Sequence, residues 1–307
     1  MGKSEDGQGY LMRGALANDL FATVRSNLPP VAAFLAATPQ FSLAPGPAAA
    51  EVEVLEDPAA PRKRFQLDEF YTRIEWLSGT AAHVQTNGAT GSIDWSGSAN
   101  DVLRAELRIF PEAAPESLGM FLRLVTSLLL PSRGAVLVHA SGVVCQGEGV
   151  IFLGDSGAGK TTTARRVGRE GALRFADDLT IVHVGPGQVA RVEPCHFDRG
   201  GRLPNRGNRS WPLRAAYDVR KGASATRDTG KVKDPLATWC AAILSSTGPP
   251  GSLESLLGLA SDLCRTVPPR ALHVSASGSV LSVCSFDAPR ADFAHLSTGL
   301  MVSTDEV

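Results

Sequence analysis

Residues 154–163 read GDSGAGKTTT, and within them Gly154, Gly159, Lys160 and Thr161 satisfy the spacing G-x-x-x-x-G-K-[ST]. Each residue type answers a chemical need. Glycines let backbone N–H groups converge on phosphate oxygens without Cβ clashes. A lysine reaches the β- and γ-phosphates, and a threonine hydroxyl ligates Mg²⁺. The apolar run GVIFL before the loop predicts a strand, and TTTARRVGRE after it predicts a helix whose N-terminus favours anions. The candidate nucleotide-binding set is Gly154, Asp155, Ser156, Gly157, Ala158, Gly159, Lys160, Thr161 and Thr162, and the expected ligands are ATP and Mg²⁺.

Two further features lie on either side of this loop. Asp177 and Asp178 stand together in FADDLTIV. Paired carboxylates serve a Mg²⁺·ATP site in two ways: one ligates the metal, directly or through water, and the other accepts a proton from an attacking hydroxyl. Successive strand side chains point to opposite faces, so both reach one site only where the strand is starting or bulged. His139, in LVHASGV, precedes the loop by one strand and one turn. A hairpin there folds His139 back beside the loop, where it contacts a phosphate or orients an acid.

Taken in order, HASGV, GDSGAGKT and ADD resemble the pattern of the HPr kinase/phosphorylase family. That family shares its core with ATP-dependent phosphoenolpyruvate carboxykinase. The resemblance covers about residues 131 to 195. It implies an α/β P-loop kinase core, with Lys160 on the phosphates and Thr161 on Mg²⁺. Asp178 becomes the general base for a substrate hydroxyl, Asp177 stands beside it near the metal, and His139 is the supporting catalytic histidine. Which aspartate plays which part stays open. The chain departs from the family after this core: VARVEPCHFDRGGRLPNRGN lacks the family's glycine-rich pattern, although Glu193 offers a carboxylate. The N-terminal region does not look like that family's N-terminal domain either. The better likeness is to the broader set of HPr-kinase-like bacterial proteins, some of which phosphorylate a serine in a protein or peptide substrate.

Arg199, Arg202, Arg206, Arg209 and Arg214 fall within sixteen positions, the last of them inside the next strand-like segment. Phosphoryl transfer spreads negative charge over equatorial oxygens, which arginines stabilise. At least one of Arg202, Arg206 and Arg209 is therefore a candidate contact to phosphate or substrate from a mobile loop at 198–212. Cys195, His196 and Asp198 lack further ligands at metal spacing and read as structural.

Elements must position these groups. Residues 14–38 carry apolar positions at helical spacing, interrupted at Pro29-Pro30, and TPQFSLAPGPAAA reads as a linker. From residue 51 alternating segments predict an antiparallel, meander-like section, followed by an amphipathic helix over 115–131. The second half predicts two apolar strands ending in the phosphate loop, a helix ending at Gly171, and a strand LRFADDLTIVHV. A strand LRAAYDVR, a polar loop over 220–234, helix over most of 235–265, and a closing hairpin of ALHVSAS with VLSVCSF complete it. The chain divides into an N-terminal, mainly β region (1–130), a nucleotide-binding domain (131–290) and a C-terminal tail (291–307).

The chain has 307 residues, 43% hydrophobic and 20% charged, with a formal net charge of −1, so it has enough apolar content for a sizeable core and no global basic surface for nucleic acid. Five dispersed cysteines without CxxC spacing suit reduced thiols. The polar start MGKSEDGQGY is unlike a signal peptide, and the longest apolar run, LVTSLLL, is too short for a bilayer. Together these predict a cytoplasmic protein with no membrane and no nucleic-acid partner. The expected activity is ATP-dependent transfer to the hydroxyl of a protein or peptide substrate, most naturally a serine. A small-molecule kinase and a catalytically silent ATP-binding regulator are the alternatives. Homo-oligomeric assembly is carried as an open expectation.

Overall fold

A computed structural model describes residues 2–3, 10–17, 20–38, 47–57, 72–86, 88–98, 100–110, 114–185, 187–197, 209–222, 227–244, 252–275 and 279–281. The fold is mixed α/β, with two mixed sheets and five α-helices among the described residues.

The first sheet contains β1 (Gly2–Lys3), β2 (Tyr10–Ala17), β3 (Leu20–Ser26), β4 (Ala48–Glu56), β5 (Thr72–Trp76), β6 (Ala81–Thr86), β7 (Ala89–Asp94) and β8 (Leu103–Ile109). Their spatial order is β1-β2-β3-β4-β8-β7-β6-β5. Alternation decides which face is buried. Val52 and Val54 of β4, with Leu103, Leu107 and Ile109 of β8, point inward, while Glu51, Glu53, Arg104 and Arg108 point to water. The inward face is covered by α1 (Pro29–Ala36) and α2 (Ala114–Leu129). On α2, Leu118, Phe121, Leu122, Val125 and Leu129 recur at helical spacing and are all buried.

Two expectations change here. Residues 14–38 are not one interrupted helix: β2 and β3 form an antiparallel ladder, and only α1 is helical. Pro29 and Pro30 begin that helix, because proline at the first turn has no intrahelical N–H to lose. Upstream of them, Leu20, Ala22 and Val24 are buried alternately with the more exposed Thr23 and Arg25, a period of two. Nor is the strand section a pure meander. β5 to β8 pair antiparallel, but β4 lies parallel to both β3 and β8. Of the Pro/Ala-rich stretch at 38–50, residues 39–46 lie outside the described residues, and Ala48–Ala50 belong to β4 and not to a linker, because their pairing with β3 extends that strand.

The second sheet is built from β9 (Ala135–His139), β10 (Ser141–Cys145), β11 (Glu148–Leu153), β12 (Leu173–Ala176), β13 (Leu179–His183), β14 (Arg191–Pro194), β15 (Trp211–Lys221), β16 (Arg227–Lys231) and β17 (Arg270–Val274). Its order is β12-β10-β11-β15-β14-β13-β9, with β17 beside β15 and β16 beyond it. β11 and β15 run parallel. The helix α3 (Lys160–Arg169) covers one face, against Val143, Phe152 and Val219. α4 (Pro235–Ala242) and α5 (Ser252–Thr266) cover the other through Trp239, Ala260 and Leu263.

The segment expected as two strands before the loop is three, because β9 and β10 separate at Ala140. The polar loop expected over 220–234 contains β16, which pairs with β17. β17 also lies parallel to β15, and the second half of the expected closing hairpin, from residue 282, lies outside the described residues, as does the tail. The boundary at 130/131 falls between α2 and a 3-10 turn, Pro131–Arg133. The first apolar cluster nevertheless crosses it, taking in Ala135, Leu137, Leu179, Ile181, Cys195 and Phe197. No described helix is long and apolar enough to cross a membrane.

Candidate functional site

β11 ends at Leu153, and the chain turns through Gly154 to Gly159 into α3. Gly154 and Gly159 adopt φ of +123° and +102°. A side chain at either position would be strained, and a Cβ on Gly154 would also stand 3.0 Å from the Val219 carbonyl. No heavy atom stands within 4 Å of where a Cβ at Gly157 or Gly159 would lie, so the loop leaves an open cradle. Asp155, Ser156 and Gly157 are exposed on the loop, Ala158 and Gly159 are half-buried, and Thr162 is exposed on α3.

Lys160 is only 7% exposed. Its ammonium donates to the carbonyls of Gly154 (2.7 Å) and Asp155 (3.1 Å). Burial pushes its pKa down, against the opposing pull of Asp178 and Asp155. The Lys160 cation is thus held by carbonyls of its own loop, neutral acceptors that bond it less strongly than an anionic oxygen would.

The aspartate pair sits where the strand breaks. β9–β10 and β12–β13 form one long antiparallel ladder, interrupted on one side at Ala140 and on the other at Asp177-Asp178. The break resolves the alternation problem by sending the two carboxylates to different partners. Asp178 accepts a hydrogen bond from His139 Nε2 at 2.9 Å. That bond holds the Asp178 pKa below the ordinary carboxylate value. Burial opposes the shift, and the charges of His139, Arg123 and Lys160 reinforce it. Asp177, 7% exposed, turns its carboxylate to Arg174 (Nε to Oδ1, 3.1 Å) and to Arg165 (Nη2 to Oδ2, 3.9 Å). Its main-chain carbonyl instead faces the loop, accepting from Thr161 Oγ1 at 3.0 Å and from Ser141 Oγ at 2.5 Å.

The structure thus gathers His139, Lys160, Thr161 and Asp178 around one point, and Asp177 joins them through its backbone. Thr161 fits an Mg²⁺ ligand: its oxygen has lone pairs left while its hydrogen is engaged with a carbonyl. The Asp177 carboxylate, committed to two arginines, does not fit that role. Glu193, 1% exposed, pairs with His183 at 3.2 Å, so its carboxylate is engaged within the sheet. Among the described residues no three His, Cys, Asp or Glu side chains form a group that could hold a metal. Arg199, Arg202 and Arg206 lie outside the described residues. Arg209 is exposed, and Arg214 pairs with Glu148 at 3.7 Å.

Sequence reasoning missed three contributors. Ser141 was visible two residues after His139 but looks like an ordinary strand serine. Arg174 stands three residues before Asp177, and only the bend at the strand end turns it back onto that carboxylate. Arg123 comes from α2, in the N-terminal half. It donates to the Phe197 carbonyl, and its charge is felt at Asp178. No local signal connects residue 123 to residue 178.

No protein-family model matches this chain, and no curated protein matches it.

Proposed function

We propose that the protein is an ATP-dependent kinase with an HPr-kinase-like P-loop core, and that it transfers the γ-phosphoryl group to a hydroxyl, most naturally a serine of a protein or peptide. The observation that carries this reading is the His139–Asp178 hydrogen bond of 2.9 Å beside a buried Lys160 and an open glycine cradle. Three separate sequence features meet at one place, which a glycine-rich turn with a solvated lysine does not require.

In this reading the phosphates lie in the loop from Gly154 to Gly159, at the N-terminus of α3, and Lys160 leaves its two carbonyls to neutralise them. Thr161 would hold Mg²⁺, which would supply charge neutralisation at the phosphates. The acceptor oxygen bonds to the γ-phosphorus as the bond to the bridging β–γ oxygen breaks and ADP leaves. Asp178 accepts the hydrogen of the attacking hydroxyl, and His139 fixes its carboxylate in place. Cationic neighbours make Asp178 a weak base, so its contribution is orientation of the hydroxyl and passage of the proton onward to water. A loose transition state asks for little more, because bond formation to the acceptor lags bond breaking.

A specific observation keeps the silent ATP-binding regulator in view. The Asp177 carboxylate is engaged by Arg174 and Arg165, which leaves Asp178, held by His139, as the one member of the aspartate pair not tied to arginine. The deciding experiment incubates the protein with γ-labelled ATP and Mg²⁺, with and without candidate protein and peptide acceptors, alongside Lys160→Ala and Asp178→Asn. Label on a protein or peptide that disappears in both variants supports the kinase. Label only on small molecules moves the acceptor class. ATP binding with no label anywhere makes the regulator the better account.

A further inference from the structure

Residues 139, 140 and 141 are consecutive, and each grips the aspartate pair. His139 donates its side-chain Nε2–H to the Asp178 carboxylate at 2.9 Å. Ala140 donates its main-chain N–H to the Asp178 carbonyl at 3.0 Å. Ser141 donates its hydroxyl to the Asp177 carbonyl at 2.5 Å. The last of these bonds stands apart, because the Asp177 carbonyl belongs to the peptide unit that links Asp177 to Asp178. The same carbonyl accepts from Thr161, whose oxygen lies 3.4 Å from that of Ser141.

We infer that Ser141 is a positioning residue, which pins the Asp177–Asp178 peptide so that the metal-ligating hydroxyl of Thr161 and the carboxylate of Asp178 keep one fixed relation. This rests on the phosphate-loop reading above but not on transfer activity. The argument is one of connectivity. A hydroxyl that ligates Mg²⁺ through its lone pair must send its hydrogen elsewhere, and here the acceptor is the Asp177 carbonyl. A carbonyl oxygen takes two donors, and Ser141 occupies the second position. Ser141 is completely buried, so no water replaces it on that carbonyl if the hydroxyl is deleted. The Asp177 side chain is tied down independently by Arg174 and Arg165, which leaves the peptide plane as the remaining freedom at the strand break. Ser141 removes it. The tripeptide His139-Ala140-Ser141 is then a three-point mount, with Ser141 acting on the cation side and His139 on the acceptor side.

The test reads binding, so it stands apart from any search for an acceptor. ADP affinity is measured by calorimetry with Mg²⁺ and with EDTA, for the wild type, Ser141→Ala and Ser141→Cys. The ratio of the two affinities reports how well the cation is seated. The cysteine nearly preserves volume but donates weakly, so it separates hydrogen bonding from packing. The expected result is a fall in the Mg²⁺-dependent gain of about fivefold in both variants, the size of one neutral hydrogen bond, with the EDTA affinity unchanged. An unchanged gain in Ser141→Ala overturns the proposal, and so does a loss in Ser141→Ala that Ser141→Cys restores, because packing would then explain it. Should Ser141→Ala not fold, a wild-type gain in Ser141→Cys overturns it alone. A wild-type protein that binds no ADP in either condition removes the phosphate-loop reading, and this proposal with it.

Discussion

Among the described residues, the eight-stranded sheet keeps its ionisable groups toward water, whereas the sheet that carries the Gly154–Gly159 loop has several buried beside it. In the first, the buried polar side chains among the described residues are hydroxyls: Ser26, Thr86, Ser117, Thr126 and Ser127. Ser26 donates to the Val54 carbonyl, and Thr126 and Ser127 donate back to carbonyls one turn earlier on α2, whereas the Thr86 hydroxyl is buried without a hydrogen-bond partner among the described residues. In the second sheet Lys160, Asp177, Glu193 and His196 are all under 10% exposed. Burying a charge is costly unless it is paired and hydrogen-bonded. The partners are present: two loop carbonyls for Lys160, two arginines for Asp177, and His183 for Glu193. Both sheets are mixed and both are covered by helices, so architecture does not separate them. The cost accepted in burying charge does.

Substitutions test that contrast. The largest expected effect is on stability in the first region. Leu107→Ala, at a fully buried position on β8, should destabilise by about 2–5 kcal/mol in denaturant unfolding, since transfer and cavity terms add. It should leave nucleotide affinity unchanged once folded. A loss of affinity in the folded variant would show that the two sheets are coupled, with Arg123 on α2 as the evident route.

The second region should respond the opposite way. Lys160→Ala should lower transfer by about 10²–10³-fold, as removal of one preorganised charge-stabilising donor does, with little loss of thermal stability. Deleting a buried ammonium held by two carbonyls relieves its desolvation while giving up those bonds. A drop in melting temperature comparable to that of Leu107→Ala would mean that Lys160 is a structural residue, and the contrast would fail.

Gly142→Ala probes the strand junction by geometry. An added Cβ would stand 2.3 Å from the Phe175 ring, where β10 and β12 shift register. The expected cost is about 1–3 kcal/mol from overpacking. It should come with reduced nucleotide binding, because the shift adjoins the aspartate pair. Equal stability with full binding would show that the ring moves freely.

Asp178 gives a pH signature. Its folded pKa lies below the ordinary value of 3.8, chiefly through the His139 hydrogen bond. A depressed folded pKa contributes stability above the unfolded pKa, and that stability is lost as pH falls through the folded value. The difference in melting temperature between wild type and Asp178→Asn should therefore be flat from neutral pH down to about pH 5 and shrink below it. A difference that does not change across that range would show that the carboxylate is unpaired in solution.

The smallest effect belongs to the open face of the first sheet. Glu51→Gln breaks a solvent-exposed ion pair with Arg104 at 3.8 Å and should change unfolding free energy by less than about 1 kcal/mol. A larger effect would mark that face as more than a solvated surface.

Much of the candidate site was legible because its signals are local. The loop from Gly154 to Thr161 is a contiguous pattern, and strand-loop-helix context follows from the apolar run before it and the arginine-bearing segment after it. The Asp pair and His139 were visible as residue types at suitable separations. Their partners were not. Arg123 reaches the site across the boundary drawn at residue 130, and the Asp177 carboxylate turns to Arg174 and Arg165 while its carbonyl faces Thr161, because a break between β12 and β13 redirects it. The first region was harder still. Ala15, Ala17, Leu20 and Ala22 offer short apolar residues that satisfy helical and strand periods alike, and pairing of β2 with β3 decided between them. The parallel placement of β4 between β3 and β8 has no signature in the residues of β4 itself.

By itself, then, the sequence determined that a glycine-rich loop exists, that it starts a helix, and that carboxylates and a histidine are available within about one strand of it. These follow from backbone conformation and side-chain chemistry, which act over a few residues. The tertiary structure alone decided which carboxylate faces the lysine, which is locked between arginines, and that Ser141 and Thr161 share one carbonyl oxygen. Those outcomes depend on register between strands distant in the chain, and a shift of one residue would exchange the two faces.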